Sequence, residues 1–117
     1  MYRFSIEWSR VEPRESTFDE REIAHYKEVI SSLKRKGILP MVTLHHFTNP
    51  LWFEHRGGWL NKGNIKLFLR YVKKIVTSLG KDVYYWITIN EPVVYATLSY
   101  YTGEWPPQHK DVREAMK

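Results

Sequence analysis

The sequence predicts an α/β fold built on a parallel sheet. Short β-branched and aromatic runs alternate with helix-length amphipathic segments, and each run ends in a polar and aromatic cluster. The first strand run is Tyr2 to Ile6, opening into Glu7-Trp8-Ser9-Arg10. A helix is predicted next, with Ile23, Tyr26, Ile30 and Leu33 spaced by threes and fours on one face. Asp19 is its N-cap, with Glu22 three residues on, and Gly37 follows the basic last turn of Lys34, Arg35 and Lys36. Leu39 to Leu44 is the second strand run and opens into His45-His46-Phe47. The second helix carries Ile65, Phe68, Leu69, Val72, Ile75, Val76 and Leu79, with Gly80 as its stop. Tyr84 to Ile89 reads as a strand covered on both faces, and Pro92, which has no N–H to donate, ends it. Val93 to Tyr101 is an apolar run with helical character before the Gly103 to Pro107 loop.

Strand starts recur roughly every forty residues, as right-handed βαβ units with long loops require. Strands linked this way run in one direction, so the three polar clusters are expected to gather at the C-terminal edge of the sheet, where α/β folds bind substrates. That convergence makes the adjacent amide and carboxylate of Asn90 and Glu91 site candidates rather than turn residues.

Three ordered segments then become specific: Tyr2-Arg3-Phe4-Ser5-Ile6 with Trp8-Ser9-Arg10, Thr43-Leu44-His45-His46-Phe47, and Thr88-Ile89-Asn90-Glu91-Pro92. In order and separation they closely resemble glycoside hydrolase family 1, over nearly the whole chain from Tyr2 to about Pro107. The resemblance implies a retaining β-glycosidase on a (β/α)8 TIM barrel, of which this chain would be a partial barrel, approximately strands 2 to 4 with their helices. A barrel of this type needs about 250 residues, and 117 supply fewer than half of its strands. The chain is therefore expected to be one fragment of a single catalytic barrel, without a second domain. Met1 standing directly before a strand fits an internal start. The family's first strand, with its sugar-binding Gln, and its late Thr-Glu-Asn-Gly segment, with the nucleophile, are not in this sequence.

Residue roles follow from the resemblance. Glu91 matches the acid/base residue, which protonates the leaving oxygen and later deprotonates water, and Asn90 matches the amide that binds the sugar 2-hydroxyl. Both roles suit the residue types on chemical grounds as well. Arg3 matches the arginine that supports the nucleophile, and without that carboxylate it is expected to be wet or mispaired. His46 matches the histidine that binds a sugar hydroxyl. Phe47 stands where many members have a tryptophan, keeping an apolar wall but losing the indole N–H. A β-linked sugar is the expected substrate, and no cofactor is expected. Glu7 is read as a local salt-bridge residue.

Other classes of function find less support. His45 and His46 are adjacent on a strand and point to opposite faces, so they do not share a metal, and the chain has no Cys to complete a ligand set. Five Trp invite a reading as sugar platforms. Trp86 is assigned instead to the core, Trp52 and Trp59 remain open between core and subsite, and Trp105 falls near the entrance loop. A net charge of +5 invites a nucleic-acid reading, but Lys34, Arg35, Lys66, Lys73 and Lys74 sit on helix ends and outer faces, so no nucleic-acid partner is expected. No apolar run approaches the roughly 20 residues that span a bilayer, no secretory leader is visible, and the absence of Cys favours a reducing, cytoplasmic location. The expected partners are the remaining barrel segments or a second copy of the chain. The alternatives are a non-catalytic carbohydrate-binding fragment, and a non-functional remnant or nucleic-acid binder.

Overall fold

The computed structural model describes residues 1–117. Three parallel strands, β1 (Tyr2–Ser5), β2 (Pro40–His45) and β3 (Tyr85–Ile89), form one sheet in the order β1-β2-β3. Phe4 pairs with Val42 and Val42 with Trp86, and this register row faces the helices. Because side chains alternate across a strand, the rows Arg3-Met41-Tyr85 and Ser5-Thr43-Ile87 belong to the opposite face. β2 is flanked on both sides and almost wholly buried, whereas β1 and β3 are edge strands.

Six helices accompany the sheet: α1 (Trp8–Val11), α2 (Glu20–Arg35), α3 (Leu51–His55), α4 (Ile65–Leu79), α5 (Pro92–Ala96) and α6 (Val112–Ala115). Asp19 caps α2 as predicted, accepting from the backbone N–H of Arg21 and Glu22. The reciprocal half of the expected box is absent. Glu22 pairs with Arg10 at 2.6 Å, and the Asp19 N–H donates to the Val11 carbonyl. At the other end Gly37 takes φ +69°, and the N–H groups of Gly37 and Ile38 return to the carbonyls of Lys34 and Leu33, which satisfies two orphan acceptors of the last turn.

The core joins Ile6, Val42 and Leu44 from the sheet side to Ile23, Tyr26 and Ile30 of α2 and to Leu67, Phe68, Tyr71, Ile75 and Leu79 of α4. Each such side chain contributes about 1.5–3 kcal/mol when fully buried. The buried face of α4 differs from the predicted one. Phe68, Ile75 and Leu79 are in the core, but Leu67 and Tyr71 complete it, while Ile65, Leu69 and Val76 are exposed. The helix has two adjacent apolar stripes, and only one meets this sheet. Gly80 follows the last residue of α4, Leu79, as predicted, though not in a left-handed conformation. It has φ −60° and leads a further 3-10 turn to Asp82, so the chain straightens only at Val83.

β3 is not covered on both faces as its composition implies, for Tyr84 and Tyr85 are exposed and Trp86 is half-buried against the core. Its outer edge has no neighbouring strand in this chain. The run after Pro92 is helical as expected: Pro92 occupies the first turn of α5, and the helix widens into a π-turn over Thr97–Tyr101. No helix is long and apolar enough to cross a membrane.

Candidate active site

Three of the five predicted site residues form one hydrogen-bonded chain across the three strands. Arg3, from β1, donates through Nε to Thr43 Oγ1 at 3.0 Å, and a terminal guanidinium nitrogen donates to Asn90 Oδ1. With its oxygen engaged by Arg3, the Asn90 amide presents Nδ2 to His46 Nε2 at 3.4 Å. A nitrogen that receives an amide donor is unprotonated, so the His46 proton belongs on Nδ1, which lies 2.8 Å from Ser5 Oγ. Arg3 is exposed, as expected of an arginine without its carboxylate, yet it is not left unpaired, because Thr43 and Asn90 supply neutral oxygens.

Asn90 and Glu91 follow directly from β3. The Asn90 N–H donates to the His45 carbonyl at 2.9 Å, extending the β2–β3 ladder by one residue. Glu91 then adopts φ +40° and ψ 62°, a left-handed conformation uncommon for a residue with a Cβ, and serves as the N-cap position of α5. Its side chain is exposed and makes no capping bond. Its carboxylate is therefore not committed to the helix that follows.

Phe47 also has positive φ, +73°. Its ring lies 4.8 Å from the ring of His46, 4.8 Å from Trp105 and 6.2 Å from Tyr95, nearly parallel to the last. His46, Phe47, Tyr95 and Trp105 line an open pocket of about 470 Å³. Phe47 thus forms a wall beside the polar chain, and Trp105 joins it there. Trp52 and Trp59 belong to the core side: Trp52 donates to the Glu12 carbonyl at 2.8 Å, and Trp59 packs on His45, Phe53 and Phe68.

The first polar cluster does not join the other two. Trp8 is 1% exposed and begins α1, surrounded by the rings of Trp52, Phe53, Phe68 and Tyr71. Glu7 makes no salt bridge, contrary to expectation. It caps α1 through Ser9 and accepts from Thr48 Oγ1 at 2.7 Å, tying the β1 loop to the β2 loop. The part of β1 that reaches the polar chain is the strand itself, through Arg3 and Ser5.

His45 and His46 diverge, but not by simple alternation: His46 lies just past β2 and turns to Ser5 and Asn90 on the side of Arg3 and Thr43, whereas His45, which alternation would place there, turns to the core. The His45 ring is enclosed by Trp59, Phe68 and Tyr95, and burial lowers its pKa below the ordinary histidine value. No group of three or more His, Asp or Glu side chains is placed to hold a metal ion. Sequence reasoning missed Thr43, Ser5, Asn49 and Tyr95. Thr43 and Ser5 were findable, since they share a register row on the face that carries Arg3.

Fold and site together define an α/β protein with a parallel sheet, in which polar side chains from successive strands are linked to one another. The sequence profile of glycosyl hydrolase family 1 matches residues 1–117, and the chain belongs to that family. It is 40% identical over 108 residues to the cytosolic beta-glucosidase of Homo sapiens, covering 91% of this chain and 23% of that protein. It is 38% identical over 117 residues to a 6-phospho-beta-galactosidase of Clostridium acetobutylicum, covering 98% of this chain and 25% of the relative. Among solved structures, a beta-glycosidase from Pyrococcus horikoshii superposes with a TM-score of 0.95 at 46% identity, over 98% of this chain and 27% of that one. A beta-glucosidase from Thermotoga maritima, solved in complex with deoxynojirimycin, superposes with a TM-score of 0.93 at 34% identity, over 97% of this chain and 26% of that one. The chain thus spans about a quarter of the length of these relatives.

Proposed function

We propose that this chain is the acid/base quarter of a retaining β-glycosidase acting on β-glucosides, β-galactosides or related sugars, corresponding to about strands 2 to 4 of one (β/α)8 catalytic barrel. The observation that carries the reading is the Arg3–Asn90–His46 chain beside Glu91, at and just beyond the ends of three parallel strands. Glu91 is the acid/base residue: its carboxylate is exposed and makes no capping bond, as a group that must reach a glycosidic oxygen requires. Asn90 and His46 present polar atoms to sugar hydroxyls, and the aromatic wall of Phe47 and Trp105 suits the apolar face of a pyranose.

Retention requires a second carboxylate roughly 5–5.5 Å from the first, attacking the anomeric carbon to form a glycosyl-enzyme. Glu7, the other carboxylate beside a strand end, is committed to Ser9 and Thr48. Glu54, which lines the pocket, holds Asn49. On the family resemblance the nucleophile belongs to a Thr-Glu-Asn-Gly segment that is not among residues 1–117, and Arg3 is the residue in this quarter that would meet it, exchanging its neutral acceptors for a charged one. The chain alone is accordingly inactive and depends on the remaining barrel segments, or in their absence on self-association. The cysteine-free sequence supports a cytoplasmic location.

The test is a chimera in which residues 1–117 replace the matching quarter of the Pyrococcus horikoshii β-glycosidase. The chimera should hydrolyse nitrophenyl β-glucoside, and the isolated chain should not. In the chimera, Glu91→Ala should lower kcat/KM for phenyl β-glucoside by about 10²–10⁴-fold, and azide should rescue the deglycosylation step by replacing the activated water. An unchanged rate on phenyl β-glucoside would remove Glu91 from the role.

A further inference from the structure

Glu91 sits in a left-handed backbone conformation, which a residue with a Cβ does not hold without support from its surroundings. Two backbone hydrogen bonds flank it. On its N-terminal side the Asn90 N–H donates to the His45 carbonyl at 2.9 Å, and on its C-terminal side the Tyr95 N–H donates to the Glu91 carbonyl at 3.0 Å. The side chains of the same two partners, His45 and Tyr95, are joined to one another through Asn49. Asn49 Nδ2 donates to the Tyr95 hydroxyl at 2.9 Å and to Glu54 Oε1 at 2.6 Å. Both amide protons are thereby used, so Asn49 Oδ1 is the acceptor facing His45 Nε2 at 2.9 Å, and that nitrogen carries the histidine proton.

The bonds close a ring that runs from His45 through Asn90 and Glu91 to Tyr95, and back through Asn49 to His45. Packing stiffens it. The Tyr95 ring lies 5.4 Å from His45, edge to face, and nearly parallel to Phe47 at 6.2 Å. His45 and Tyr95 are 1% and 6% exposed, and Glu54 anchors the ring to α3. We propose that His45, Asn49 and Tyr95 form a positioning clamp that holds the backbone of Glu91, and so aims its carboxyl group at the leaving oxygen. The clamp deepens the hydrolase reading and rests on Glu91 being the acid/base residue.

A mis-aimed acid has a kinetic signature that a general loss of structure lacks. Departure of a poor leaving group needs protonation, whereas departure of 2,4-dinitrophenolate does not. In the chimera described above, Tyr95→Phe keeps the stacked ring and removes the hydroxyl that Asn49 holds, and Asn49→Ala removes the link outright. Each should lower kcat/KM about tenfold for phenyl β-glucoside and less than twofold for 2,4-dinitrophenyl β-glucoside. Tyr95→Phe with the parental value on phenyl β-glucoside, or with equal losses on both substrates, would overturn the clamp while leaving Glu91 in its role. A chimera unfolded by Tyr95→Phe, as judged by circular dichroism, would assign that hydroxyl to folding and overturn it too. Glu91→Gln with an unchanged ratio between the two substrates would sink the hydrolase reading and the clamp together.

Discussion

Asn90 has one amide oxygen, and Arg3 holds it, which decides the orientation of everything that follows. The amide nitrogen must then face His46, and the His46 proton must sit on Nδ1 toward Ser5. Single-residue chemistry thus propagates across three strands without any ion pair. His45 is enclosed by the rings of Trp59, Phe68 and Tyr95. Burial disfavours the imidazolium, so the folded chain takes up this proton at lower pH than the unfolded chain does. The sign follows from linkage. His45 contributes its full share of stability above the unfolded value of about 6.5, and loses it progressively as pH falls from there through the lowered folded value. Replacing it with a group that does not titrate, as in His45→Gln, should therefore flatten the fall in melting temperature of the chimera between about pH 6.5 and pH 5. A parental slope in the variant would assign the acid sensitivity to other groups.

At the scale of elements, α1, the loop after it and α4 are fastened by one fully buried carboxylate. Glu12 accepts from Trp8 Nε1 at 2.8 Å and from the Ser16 N–H at 2.8 Å, and pairs with Arg70 of α4. The carboxylate has a donor for each oxygen and a guanidinium for its charge, which is what a buried charge needs to be tolerated. Removing it orphans three donors at once. Glu12→Ala should destabilise by about 3–5 kcal/mol, whereas Glu22→Ala, which breaks a solvent-screened pair with the exposed Arg10, should leave the melting temperature close to the parental one. The order of the two melting temperatures in the chimera checks this. Glu12 lies in a charged, proline-containing stretch that reads as surface loop, and nothing in its local pattern announces burial. Its partner Arg70 lies 58 residues away.

At the scale of the molecule, the sheet ends in two unpaired edges, and α4 carries a second apolar stripe of Ile65, Leu69 and Val76 that is exposed. Tyr84, Tyr85 and Val93 add exposed apolar surface on and after the β3 edge. In the superposed relatives this quarter is part of a chain about four times as long. Unpaired backbone and contiguous apolar surface both favour association. The isolated chain should therefore sediment as dimers or larger species, and Leu69→Lys with Val76→Lys should shift it toward monomer. A stable wild-type monomer with one cooperative unfolding transition would refute this, and would mean that the three-stranded wedge closes on itself.

The number of strands was legible from periodicity and their common direction from the βαβ connections, because alternation and threes-and-fours spacing depend on local backbone geometry and on which face meets apolar neighbours. Asp19 as a cap, Gly37 as the helix terminus and Pro92 as the stop after β3 were legible for the same reason: each acts within its own turn. Arg3, His46, Phe47, Asn90 and Glu91 could be named from their motifs, but not which of them touch. Only the fold decided that Arg3 meets Asn90 across 87 residues, that Trp8 leaves its polar cluster for the core, and that Asn49 joins His45 to Tyr95. The choice between the two stripes of α4 was likewise tertiary, since both have helical spacing and only the position of the sheet distinguishes them. Local geometry is written in neighbouring residues. Partnership between distant ones depends on where the parallel strands set their ends.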